Sequence, residues 1–136
     1  MNNRVFVATD IMYDLLAKRE PFYVPAARLF TLADEGKIQI FISSLSIANL
    51  HYLLSKLLTA NEAKNVLRKF RLLVNVAPLN EKIIDLALNS EITDFEDAIQ
   101  YFTALQNEIS LLITRNLKGY KKTGMTVMTA HDFLNL

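Results

Sequence analysis

The sequence predicts an α/β domain, a three-layer α/β/α sandwich with a mainly parallel central sheet, and three observations predict it. Short apolar runs rich in β-branched and aromatic residues alternate with longer stretches of helical periodicity. Each short run is apolar almost throughout rather than at every second residue, the pattern of a strand covered on both faces. Three glycines and three prolines are the only strong punctuation in 136 residues, with no linker and no repeat, so residues 1–136 read as a single domain.

The elements follow in order. "RVFVAT" is a strand, and "DIMYDLLAKR" continues as a helix with Ile11, Leu15 and Leu16 on one face. "EPF" breaks the chain, and a second helix runs from Val24 to Asp34, stopping at "EGK" around Gly36. "IQIFIS" is a strand, followed by a helix over "SLSIANLHYLLSKLL" entered through Ser43, Ser44 or Ser46. "NEAKNVLRKFRLL" is a helix with Asn61 as its expected N-cap, "VNVAPL" a strand and "NEKIIDLALNSE" a helix. "TDFEDAIQYFTALQNE" is a helix with a strongly marked start. "SLLIT" and "MTVMT" are strands, and "AHDFLNL" closes as a short helix.

Composition narrows the function classes. With 51% hydrophobic and 21% charged residues the chain has a globular balance. Its formal net charge of +1 supplies no global field for nucleic acid, so polyanion binding would need a local patch. The lack of cysteine excludes disulfides, thiolate zinc sites and a cysteine nucleophile, and fits a reducing compartment. The opening "MNNRVFVATD" has no signal-peptide pattern, and no apolar run approaches the ~18 residues of a membrane span. The expectation is a cytoplasmic protein with no membrane attachment.

In parallel sheets, sites gather outside the carboxyl ends of the strands. That rule selects Ala8-Thr9-Asp10, Ser43-Ser44, Thr114-Arg115-Asn116 and the helix start Thr93–Asp97. The stretch "TDFEDA" fits a capping box, with Thr93 as N-cap and Glu96 at N3 or Asp94 as N-cap and Asp97 at N3. Acids in a first turn also suit the helix dipole. They fit a cation site as well, since Mg²⁺ or Mn²⁺ takes carboxylates and water, whereas two carboxylates without a cation repel. Such an ion activates water and neutralises charge on a phosphodiester. Asp10, Asp94 or Asp97, with Asn116 as a neutral oxygen donor, would make a reduced cluster of this kind. Capping and ligation do not exclude each other.

Lys118, Lys121 and Lys122 follow the strand end at Asn116, where they would meet phosphates. Lys64, Arg68, Lys69 and Arg71 read as a solvated helix face. His51 and His131 have no metal-ligand partner at helical spacing, and Tyr101 and Phe102 fit a helix packed on a sheet.

Four stretches, "VFVATDIMYDLLAKREPF", "FISSLSIANLHYLLSK", "DFEDAIQYFTAL" and "LLITRNLKGYKKTGMTVMTAHDFL", together span nearly the whole chain. Their order and spacing resemble the PIN domain, the metal-dependent ribonuclease fold that includes the VapC-like toxins of toxin–antitoxin pairs. The resemblance implies a parallel sheet between helices and RNA as substrate. It also implies Mg²⁺ or Mn²⁺ as cofactor, an antitoxin-like protein partner and a homo-oligomer. It places Asp97, Asp10 and Asp94 as metal ligands and, with Asn116, as the catalytic set. Thr9, Thr114, Arg115, Lys118 and Lys121 would then lie against RNA.

The match departs from the family at instructive places. The opening Asp-Thr-Asn or Asp-Thr-Asp pattern reads Ala8-Thr9-Asp10, so the leading metal aspartate falls on a methyl group. A mid-chain glutamate falls on Asn49, which one branch of the family tolerates. Thr114-Arg115-Asn116 agrees with the family, but Gly119 stands where an acid is frequent. The resemblance therefore implies an endoribonuclease weakened or inactive as written. The alternative is a catalytically dead PIN-fold module that binds RNA or an antitoxin-like partner. Alanine at position 8 reads either as a lineage that lost cleavage and kept binding, or as a substitution made to silence a toxic nuclease.

Overall fold

The computed structural model describes residues 3–136; the first two residues of the opening stretch read above for a leader lie outside them. The apolar runs become five strands, β1 (Arg4–Val7), β2 (Gln39–Ser43), β3 (Asn75–Ala77), β4 (Leu111–Ile113) and β5 (Thr126–Met128). They form one sheet in the order β3-β2-β1-β4-β5, and every neighbouring pair is parallel. The helices are α1 (Thr9–Leu16), α2 (Tyr23–Asp34), α3 (Ser44–Leu54), α4 (Ala60–Phe70), α5 (Glu81–Leu88), α6 (Phe95–Gln106) and α7 (Ala130–Leu134).

Strand alternation sorts the core into two layers. Val5 and Val7 point into a cluster with Ile40, Ile42 and the apolar faces of α1 to α4 and α7. Phe6 and Ala8 point the other way, to Leu112, Ala104 of α6 and Tyr120. A smaller cluster of Ile83, Ala87, Ala98 and Ile99 joins α5 to α6 on that second side. Phe6 is wholly buried, and burial of such a ring is worth about 1.5–3 kcal/mol. The three-layer architecture is the expected one.

The strand order has one consequence for function. From β1 the chain proceeds outward to β2 and β3, then returns to β4 on the other flank. The order reverses between β1 and β4, and in open parallel sheets that reversal opens a crevice at the carboxyl ends. Ala8 and Asn116 therefore leave the sheet from neighbouring strands.

Several local expectations need correction. The N-cap of α4 is Thr59, not Asn61, because Thr59 and Glu62 close a reciprocal capping box. Helix α1 ends at Leu16, two residues before the left-handed Lys18 (φ 52°), and α3 ends at Leu54. Of the three candidate serines, Ser43 caps α3. Two 3₁₀ turns, Arg71–Leu73 and Leu117–Tyr120, were not expected from periodicity. Among the described residues no helix is long and apolar enough to cross a membrane.

The cap assignment is open to a direct check by chemical denaturation. Thr59→Ala should cost about 1 kcal/mol, whereas Asn61→Ala, inside the exposed first turn, should stay within about 0.5 kcal/mol.

Candidate functional site

The site begins at the seam between β1 and β4, where Ala8 N–H donates to the Ile113 carbonyl at 3.0 Å. Asp10, in the first turn of α1, reaches across this seam. Its carboxylate accepts from Thr114 Oγ1 at 3.1 Å, from Arg115 N–H at 2.8 Å and from Ile11 N–H at 2.9 Å. Burial raises its pKa, and the Arg115 N–H bond is the largest of the contacts opposing that shift. One helical turn further on, Asp14 is fully buried and accepts from Arg115 Nε at 2.7 Å and Nη2 at 3.0 Å. The guanidinium also stacks on Phe22, 3.8 Å from the ring centroid.

These bonds reassign three residues expected at nucleic acid. Arg115 is held by Asp14 and Phe22 and lines a separate cavity of about 180 Å³ under α1 and α2. Thr114 is buried against Asp10. Thr9 is buried too, its hydroxyl 2.7 Å from Ser46 Oγ and 3.4 Å from Gln100 Nε2. All three lock strand ends to helices. Asp10 likewise has its oxygens bonded by the Thr114 hydroxyl and by the N–H groups of Ile11 and Arg115.

The cleft itself, of about 580 Å³, lies between the start of α6 and the turn after β4. Asp94 caps α6, accepting from Asp97 N–H at 2.9 Å, which selects the second of the two capping readings. Asp97 faces the cleft from the first turn. Asn116 Nδ2 donates to its Oδ2 at 2.7 Å, and the Tyr120 hydroxyl donates to its Oδ1 at 3.3 Å. Gly119 lies so close that a Cβ there would sit 2.5 Å from Asp97 Oδ2 and 2.9 Å from Asn116 Nδ2. Asn49 turns toward α6 and donates to Glu96 at 3.2 Å, not to Asp97.

Burial and the neighbouring charge of Asp94 push the Asp97 pKa up to about 6, against the bonds from Tyr120 and Asn116. Burial, with Asp97 beside it, drives the Tyr120 pKa upward as well, so the phenol stays a neutral donor. Lys118, Lys121 and Lys122 line the same cleft, and none of them enters an ion pair among the described residues.

The residues present do not fit a resident divalent cation. Such an ion needs about six oxygen ligands, one or two of them carboxylates and the rest largely water or substrate oxygens. Among the described residues no three carboxylates or histidines are grouped so that they could hold a metal ion. Ala8 presents a buried methyl, and Asp10 and Asp94 are engaged with backbone N–H groups. Of the expected catalytic set, Asp97, Asp94 and Asn116 line the cleft, and Asp10 lies outside that lining though near enough for its charge to raise the Asp97 pKa.

Sequence reasoning missed Tyr120 and Asp14. Asp14 was within reach, since Asp10 and Asp14 stand four residues apart on one helix and so share a face. Tyr120 had no local signal, because its partner lies 23 residues away.

Two outcomes follow. Arg115→Ala should destabilise the fold by about 3 kcal/mol or more in denaturant titrations, because it strips the main partner from a fully buried carboxylate. The raised Asp97 pKa works in the opposite sense to an ordinary ion pair. Its contribution is fully present below the unfolded value near 3.8 and is lost as pH rises through about 6. Asp97→Asn should therefore melt progressively higher relative to the parent as the buffer moves from about pH 4 to about pH 8. A constant gap would show that Asp97 titrates normally.

Comparisons with known proteins agree with the fold. A toxin–antitoxin complex from Klebsiella pneumoniae shares the fold at 23% identity and TM-score 0.69, covering 93% of this chain and 97% of that one. VapBC2 from Rickettsia felis, bound to a DNA fragment from its promoter, matches at 20% identity and TM-score 0.69, covering 92% and 96%. A VapC toxin of Mycobacterium tuberculosis that cleaves the sarcin-ricin loop matches at 18% identity and TM-score 0.63, covering 79% and 86%. No curated protein sequence matches the chain. The PIN-domain profile matches residues 4–118, most of the molecule, and the chain belongs to the PIN-domain family.

Proposed function

We propose that this chain is a PIN-type endoribonuclease of the toxin kind in which hydrolysis of RNA phosphodiester bonds is weakened or absent as the sequence stands. The observation that carries the reading is Ala8. It ends β1 on the same side of the sheet as α6 and Asp97, where the family resemblance expects the leading acid, and it offers only a buried methyl. Three unpaired lysines beside Asn116 support RNA as the ligand of the cleft. The Mycobacterium tuberculosis neighbour, a toxin that cleaves the sarcin-ricin loop, supports the same substrate class. In an active member Mg²⁺ or Mn²⁺ would supply the activated water.

An antitoxin-like protein partner belongs to this reading, supported by the Klebsiella pneumoniae toxin–antitoxin complex. Self-association and a cytoplasmic setting come with the toxin resemblance. A second reading, a PIN-fold module that binds RNA or that partner and never cleaves, is favoured by the bonds from Asn116 and Tyr120 to Asp97.

Ala8→Asp separates the two. Without metal the new carboxylate would sit in a buried pocket near Asp97, and the variant should lose about 1–3 kcal/mol of stability. Added Mn²⁺ should recover that loss by binding only the folded state, and cleavage of a mixed RNA pool should appear. A folded Ala8→Asp protein that gains neither would hand the assignment to the non-cleaving module.

A further inference from the structure

We infer that Asp97 is a positioning residue that clamps the lysine-bearing turn after β4, a role it fills here in place of metal ligation. The turn Leu117–Tyr120 is a short 3₁₀ segment whose own backbone bonds are long, 3.3 Å for Gly119 N–H to Asn116 O and 3.4 Å for Lys121 N–H to Lys118 O. Such bonds give little independent order. Its two flanks are instead gripped by one carboxylate. Asn116, immediately before the turn, binds Oδ2, and Tyr120, its last residue, binds Oδ1. The Asn116 bond, 2.7 Å to a charged acceptor, is of the stronger kind, and the longer Tyr120 bond, at 3.3 Å, adds to it.

Gly119 makes the grip possible. It sits between the two donors, and the carboxylate packs where its side chain would be, with a Cβ there only 2.5 Å from Oδ2. The position at which the resemblance expects an acid is thus filled by Asp97 itself. Tyr120, only 2% exposed, anchors the end of the turn in the cluster that holds Ala8 and Phe6. Lys118 lies inside the clamped segment, and Lys121 and Lys122 follow directly. The clamp therefore sets where three cationic side chains stand on the rim of the cleft. The two donors give the Asp97 carboxylate hydrogen bonds without a countercharge, and an ion bound there would compete with them for its oxygens.

The consequence for RNA rests on the function proposed above, whereas the clamp does not, and the experiment reads the two separately. Amide hydrogen exchange would be measured on the full chain near pH 8, with EDTA or with millimolar Mn²⁺. The parent would be compared with Asp97→Ala, Asn116→Ala, Tyr120→Phe and Gly119→Ala. Salt-dependent binding of a mixed RNA pool would be measured on the same proteins.

Asp97→Ala should speed exchange across residues 117–123 by about tenfold or more while the sheet amides keep their protection. Asn116→Ala and Tyr120→Phe should each give part of that effect. Gly119→Ala, which leaves Asp97 in place but intrudes on it, should approach the whole of it. The slope of log affinity against log salt should fall by about 2 in Asp97→Ala, as three lysines lose their phosphates at ~0.7 each on a single strand.

Unchanged exchange in the turn of Asp97→Ala overturns the clamp, and so does Mn²⁺ that slows exchange there in the parent. A loosened turn with an unchanged salt slope overturns the claim that the clamp aims the lysines. A loosened turn with no RNA affinity in any protein, the parent included, supports the clamp and removes the RNA reading instead.

Discussion

The carboxylate of Asp10 ties the end of β1 to the end of β4, and the rest of the site depends on that tie. It accepts from the Thr114 hydroxyl and the Arg115 N–H across a separation of more than 100 residues in sequence. Closing so long a loop is entropically costly, and a carboxylate accepting several donors in a partly buried setting offsets part of that cost. Beneath it the Asp14–Arg115 pair repeats the connection with a bidentate geometry and no solvent access to the acid. The two together decide that Ala8 and Asn116 emerge side by side. Without them the crevice of the parallel sheet would have no defined floor.

The polar residues at the strand ends then fall into two groups with different work. Thr9, Ser46 and Gln100, with Asp10, Thr114, Asp14 and Arg115, bond one another inside the protein, with Gln100 Oε1 left without a partner among the described residues, and join α1, α3 and α6 to the sheet. Glu91, Asp94, Asp97, Asn116 and the three lysines line the cleft. Family membership directs attention to acids that hold a cation, yet Asp97 has its oxygens bonded by an amide and a phenol, neither of which carries charge. Lys118, Lys121 and Lys122, in no ion pair among the described residues, suit the rim of the cleft to a polyanion, although Glu91, Asp94 and Asp97 line it too.

Much of this was legible in the sequence, and the exceptions share a physical cause. Mostly apolar runs marked all five strands, in keeping with a parallel sheet covered on both faces, although Gln39, Asn75 and Thr126 are exposed. The start of α6 was legible because a capping box is a local pattern, though only the structure chose Asp94 over Thr93. Thr59 was passed over because the reading put the start of α4 at the "NEAK" run, one residue past its true first residue. The resemblance placed Arg115 against RNA, but its partner Asp14 lies 101 residues away, and such pairings leave no local trace. The same holds for Tyr120. Gly119 was read as a lost acid, and its close approach to Asp97 is a fact of packing rather than of spacing.

The central proposal, that RNA binds the cleft of this PIN domain while cleavage is weakened or absent, meets its most direct test in one measurement on the unaltered chain. A mixed RNA pool would be bound in EDTA and in Mn²⁺ at matched ionic strength, and the retained RNA would then be sized. The account expects equal affinity in both buffers, a steep loss of binding with salt, and RNA recovered at full length from each. RNA shortened in Mn²⁺ but intact in EDTA would show a working metal centre, and no retention in either buffer would show that the cleft serves another ligand.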